Sequence, residues 1–153
     1  MIRMDLPFLP PSANHAYFNL PTGGRTLSKK GKKFKREAAT HLVREYPLQL
    51  RMFEANKPYG IAMSFTFTDM HNKTWPDKAK SRYKKFDTSN RVKLVEDVLA
   101  EVANTDDSQH VMLIIGKCAG TKEWTTVWAW SIEDEPGLHQ NIPPLVRNEI
   151  FSV

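Results

Sequence analysis

The hydrophobic patterning predicts an α+β (mixed α/β) fold, a small single domain whose mixed sheet carries two main helices in the order β-β-α-β-α-β-β. Three observations support this. Two stretches, after Ser28 and after Thr88, repeat apolar residues at helical spacing. Residues 59–69 alternate large apolar with small or polar side chains, the period of a strand. Residues 110–117 and 123–132 add two strand-like runs behind the second helix. A chain of 153 residues with 41% hydrophobic and 10% aromatic content is long enough to bury one core.

Ile2 to Phe8 reads as a first strand, stopped by Pro7, Pro10 and Pro11. The following PPSANHAYF is turn chemistry, in which Ser12 and Asn14 bond local backbone. Gly23-Gly24 marks another turn, and Arg25 to Leu27 a brief strand. Ser28 is the expected N-cap of the first helix, Lys29 to Tyr46, although Gly31 lowers its propensity and permits a later start. Phe34, Ala38, Leu42 and Tyr46 form its apolar stripe, widened by Ala39 and Val43, and Pro47 ends it.

From 59 to 69, Tyr59, Ile61, Met63, Phe65 and Phe67 face one way, and Gly60, Ala62, Ser64, Thr66 and Thr68 the other, which predicts a half-buried strand. The second helix runs from Thr88 or Ser89 to Ala103, with Val92, Val95, Leu99 and Val102 inward, supported by Leu94 and Val98. After a turn, the unbroken apolar run in His110 to Lys117 predicts a strand buried on both faces. Glu123 to Ile132 predicts a last strand, antiparallel to it across Gly120-Thr121, with Trp128 and Trp130 in a core or an interface. Residues 1–132 form the expected domain. Residues 133–153 form a tail whose Leu145, Val146, Ile150 and Phe151 dock on the body or on a second subunit.

The net charge of +5 favours a polyanionic partner, nucleic acid first. Arg25 and the faces of the first helix that carry Lys29, Lys30, Lys32, Lys33, Lys35 and Arg36 read as a phosphate-facing patch or as a solvated face. The polar segment from Met70 to Phe86 holds Lys73, Lys78, Lys80, Arg82, Lys84 and Lys85 against Asp69 and Asp77, with Trp75 and Tyr83 interleaved. Such a loop can touch phosphates and stack on a base, or simply be a solvent loop.

Other classes are poorly supported. The single Cys118 excludes an internal disulfide and a thiolate zinc cluster, and suits a reducing cytosol. The histidines form no HxxxH or HxH pattern, no GxxxxGK[ST] loop is present, and no serine sits in a nucleophile elbow. No signal peptide or membrane-spanning run is visible, so Asn72-Lys-Thr74 carries no weight as a glycosylation sequon.

The stretch KKFDTSNRVKLVEDVLAEVANTDDSQ, residues 84–109, places carboxylates at both ends of the second helix. Ser89, Lys93, Glu96 and Asp97 fall on one polar arc of it. Hydrolysing a phosphodiester needs an activated water and a stabilised leaving oxyanion, which divalent cations held by carboxylates supply. Asp87, Asp106 and Asp107, with Glu96 or Asp97, provide enough oxygens. Asp87 reads equally as a helix capper, and Asp106-Asp107 as a turn.

Three motifs in order resemble the RusA family of Holliday junction resolvases, common in phages and prophages. LPFLPPSANHAYF resembles the family's LPxPPSxNxxY opening, and GRTLSKKGKKFKREA its RTxxSxxGxxFR segment. DTSNRVKLVEDVL followed by DDSQ resembles DxDNxxKxxxDAL and DDxQ. The resemblance implies a dimeric, Mg²⁺-dependent endodeoxyribonuclease of the bacterial or phage-infected host cytoplasm that binds four-way DNA junctions and nicks paired strands symmetrically. It implies that Asp87 and Asp107 are the outer acids of the site, Asp106 the neighbour, Asn90 the motif asparagine, Lys93 the motif lysine and Asp97 the helix aspartate. Asp87, Lys93 and Asp107 are then the expected catalytic residues. Arg25, Lys29, Lys30, Lys32, Lys33, Arg36, Lys80, Arg82, Lys84 and Lys85 are the expected DNA contacts. One departure stands out: Ser89 occupies the second acidic position. Either Glu96 supplies the missing carboxylate, directly or through water, or the protein binds branched DNA and cuts it poorly.

Overall fold

The computed structural model describes residues 1–84, 88–132 and 142–151. In chain order the elements are β1 (Ile2–Leu6), α1 (Ala13–Ala16), β2 (Tyr17–Asn19), β3 (Arg25–Leu27), α2 (Lys29–Glu45), α3 (Pro47–Leu50), β4 (Tyr59–Phe67), α4 (Ser89–Ala103), β5 (His110–Ala119), β6 (Trp124–Ser131) and α5 (Pro144–Phe151). A single 3₁₀ turn, Asp107–Gln109, joins α4 to β5. The fold is mixed α+β, as the pattern of elements predicts.

The main sheet has the order β1-β6-β4-β5, and β2 and β3 pair as a separate hairpin. Strand β6 lies antiparallel between β1 and β4, whereas β5 runs parallel to β4. A parallel neighbour needs a crossover, and α4 is that crossover. The core lies between the sheet and the helices α2 and α4. Phe34, Ala38 and Leu42 of α2 and Val92, Val95, Val98 and Leu99 of α4 bury against Met4, Leu6, Ile61, Met63, Phe65 and Val127. Each Å² of apolar surface removed from water contributes about 25 cal/mol, which makes this layer the main stabilising term.

Ser28 caps α2 as expected, its Oγ accepting the Gly31 amide at 3.1 Å. Gly31 does not delay the helix. It is buried, and a Cβ there would lie 2.5 Å from the Ala16 carbonyl oxygen, so close packing of α1 against α2 requires glycine. Val43, expected on the apolar stripe, is exposed instead.

Two strands exchange their expected roles. β4 is not half-buried: nearly every residue on both faces is buried. Its small residues face Trp128 and Trp130, and a Cβ on Gly60 would lie 2.3 Å from the Trp130 ring. Smallness, not solvent, explains the alternation. Conversely, β5 is not buried on both faces. It is one edge of the sheet, and Val111, Leu113 and Ile115 are exposed. β6 is antiparallel to β5 in direction but does not pair with it, because β4 lies between them.

On the second face Val146 of α5 buries with Ala62, Trp128, Trp130 and Ile132, while Leu145 is exposed. Residues 133–141 and the side chains of Ile150 and Phe151 lie outside the described residues. Among the described residues no helix is long and apolar enough to cross a membrane.

Candidate active site

The site is built where α4 ends and the chain doubles back. Asn104 takes the left-handed conformation (φ 53°, ψ 46°) that terminates helices, and its amide bonds the Ala100 carbonyl. The Thr105 amide bonds the same carbonyl at 3.0 Å. Asp106 then caps the 3₁₀ turn reciprocally: its Oδ1 accepts the Ser108 amide at 2.8 Å, and its own amide donates to Gln109 Oε1 at 3.0 Å. Gln109 Nε2 in turn donates to the Lys57 carbonyl at 3.1 Å, which ties the turn to the segment before β4.

This geometry carries Asp107 back along α4 to Lys93. The Lys93 ammonium donates to Asp107 and, at 3.0 Å, pairs with Asp97 one helical turn along. Two carboxylates from different elements thus share one cation. The Asp107 bond, then the Asp97 bond, hold the Lys93 ammonium charged well above its ordinary range. Side-chain exposures of 55% for Lys93, 41% for Asp107 and 27% for Asp97 leave these pairs open to screening, so they fix geometry more than they add stability. Hydrogen bonds from the Ser108 hydroxyl and amide hold the Asp106 carboxyl below the usual range.

Glu96 turns elsewhere. Its Oε1 lies 3.3 Å from Nδ1 of His110, whose side chain is 1% exposed. Asp97, not Glu96, joins Lys93 and Asp107. Asp87 and Lys85 lie outside the described residues, as do the side chains of Ser89 and Asn90 in the first turn of α4.

One neighbour was legible only as turn chemistry. The Tyr17 phenol lies within electrostatic reach of Asp97, Lys93 and Arg25, and burial, then the Asp97 charge, raise its pKa. The Arg25 guanidinium stands 5.4 Å over the Tyr17 ring. The hairpin that bears both is docked to the start of α2 by the Ser28 amide on the Ala16 carbonyl (2.8 Å) and the Ser28 hydroxyl on the His15 carbonyl (2.5 Å). The signal for Tyr17 was its place as the closing aromatic of the first motif.

Among the described residues no three His, Cys, Asp or Glu side chains converge as a metal site. The donors that do meet, Asp97 and Asp107, are hard oxygens already sharing a positive charge, which fits in kind the ligands of Mg²⁺. Lys29, Lys30, Lys32, Lys33 and Arg36 are exposed along α2, with Lys33 3.7 Å from Glu37, while Lys35 pairs with Glu101 of α4 at 3.2 Å. Lys80 and Arg82 are exposed in the loop after β4, and Lys84 is paired with Asp69.

Among known protein families, the one described as endodeoxyribonuclease RusA matches residues 7–128, a span that includes Tyr17, all of α4 and the Asp106-Asp107 turn. No curated protein matches the chain.

Proposed function

The chain belongs to the RusA family of endodeoxyribonucleases, and from that premise we propose a Mg²⁺-dependent, structure-selective nuclease that resolves Holliday junctions by paired phosphodiester cleavage. The observation that carries this reading is the Lys93 ammonium held between Asp97 and Asp107. Asp97 and Asp107, joined by Asp87 and assisted by Asp106, would hold Mg²⁺. When bound, the ion would activate a water and offset charge on the leaving oxyanion.

The chain's own groups do the positioning. Lys93 balances two carboxylates that would otherwise repel, and its fixed ammonium can meet a phosphate oxygen as charge develops there. Tyr17 and Arg25 border the same cluster. Exposed cations on α2 and in the loop after β4 suit backbone phosphates, so binding should weaken steeply with salt.

Two opposed cuts call for two sites, and a two-fold homodimer provides them. Support comes from β5, an unpaired sheet edge among the described residues with Val111 49%, Leu113 41% and Ile115 37% exposed. The expected setting is the bacterial or phage-infected cytoplasm.

A second reading is a branched-DNA-binding protein with weak or no cleavage. It is favoured by one observation: Ser89 stands where the family motif has an acid, and Glu96 is engaged by His110. A four-way junction cleavage assay with Mg²⁺ separates the two. On the first reading wild type cuts, Asp87→Asn does not, and Glu96→Gln keeps most of the activity, because its partner is the buried His110 side chain and not the Lys93 cluster. An Asp87→Asn variant that cuts as well as wild type would remove the site assignment. Cleavage seen only after Ser89→Asp would establish the second reading.

A further inference from the structure

Residues 69–84, after β4, carry an ordered cluster of rings around one guanidinium. His71 and Tyr83 form an isolated antiparallel bridge, with ring centroids 5.2 Å apart. The Arg82 guanidinium lies 5.6 Å from the Tyr83 centroid and 5.9 Å from that of Trp75. Backbone and side-chain bonds hold this order. The Asn72 amide donates to the Arg82 carbonyl at 2.9 Å, and Asn72 Nδ2 donates to the Ser81 carbonyl at 2.6 Å. The Ser81 hydroxyl donates to the Tyr83 carbonyl at 2.8 Å, and the Lys84–Asp69 pair closes the base. Yet Trp75 remains 46% exposed and Tyr83 44% exposed. The structure therefore maintains large aromatic surface in water, at a cost in hydration, beside Lys73, Lys78 and Lys80.

We propose that this loop is a stacking platform for a base whose face is exposed at the branch point of the DNA, with Trp75 as its contact surface. This rests on the nucleic-acid reading above and adds to it a source of structure selectivity. A base within an intact duplex is stacked on both faces and has no π surface to offer, whereas a base in a single strand or at an opened branch point has one. The neighbouring lysines match a phosphate backbone, so an unpaired strand is favoured over a protein partner. The ordering cost is already met, because Arg82 and Asn72 hold the loop before any ligand arrives.

The test is binding in EDTA, where cleavage plays no part, so its outcome is independent of whether wild type cuts. The probes are a four-way junction, an uninterrupted duplex and oligothymidylate. Stacking on an aromatic ring is worth about 1–3 kcal/mol per base, so Trp75→Ala should lose roughly 5- to 150-fold in affinity for junction and oligothymidylate. Duplex affinity should stay within about twofold. Trp75→Phe should keep most of the affinity while removing the quenching of intrinsic tryptophan fluorescence that oligothymidylate causes in wild type. Parallel losses on duplex and junction would overturn the proposal, as would unchanged quenching in Trp75→Phe.

Discussion

The α4 corner and the loop after β4 are both polar, both exposed and near each other in sequence, yet they handle charge in opposite ways. At the corner, Lys93 is shared by Asp97 and Asp107, and Asp106 is satisfied by the turn that it caps. In the loop, Arg82 rests on rings, and the lysines outnumber Asp69 and Asp77. Charge balanced within a rigid frame suits a place where bonds are made and broken, because the groups need no reorganisation. Charge left unbalanced suits a place that attracts a polyanion. The difference suggests that turnover and affinity reside in separate parts of the molecule.

Substitutions can break that division or sharpen it. The largest effect is expected from Lys93→Met, which strips the cation from two carboxylates. Single-turnover junction cleavage at saturating protein should fall by about 10²–10³-fold, while junction affinity measured in EDTA changes little. A loss confined to affinity would erase the distinction. Next, the double change Lys73→Ala with Lys80→Ala should weaken junction binding roughly tenfold at moderate salt and flatten the log K against log salt slope by about 0.9 for each lost phosphate contact. Cleavage at saturation should hold. Tyr17→Phe, at the border of the corner, should slow cleavage about two- to tenfold through loss of one hydroxyl. Its affinity for junction should match wild type.

The smallest effect concerns Asp106. Its folded-state pKa is lowered, so its contribution to stability is present above the unfolded-chain value of about 3.9 and is lost as pH falls through the folded one. Asp106→Asn should therefore melt below wild type at pH 7, and thermal denaturation curves of the two should converge in acid below about pH 4.

Much of the frame was legible because helices announce themselves locally. Ser28 capped α2, and the Val92 to Leu99 spacing placed α4, without knowledge of any partner. The strands were harder. Alternation in β4 and continuity in β5 suggested the reverse of their burial, because burial depends on sheet order, and sheet order is a long-range property. Gly60 and Ala62 looked like a solvent face, but they are the room that Trp128 and Trp130 occupy. At the candidate site, the motif named Lys93, Asp97 and Asp107, and the helical arc added Glu96. That Glu96 turns away to the His110 side chain was not legible, because His110 lies on another element. Tyr17 escaped for a similar reason: its neighbours are on α4, far along the chain.

The left-handed turn at Asn104 has a further consequence. Asp107 hangs on a turn outside the helix, whereas Asp97 rides on the helix itself. The two therefore obey different rulers. An extra residue inserted between Asp97 and Asn104 would swing the exit of α4 by about 100° and throw the turn to another side of the helix. One inserted between Asn104 and Asp107 would leave the helix as it is and displace Asp107 by up to about 3.5 Å, at the cost of some of the bonds that cap the turn. Lineages should consequently drift in the length of the turn long before they drift in the length of the helix that precedes it.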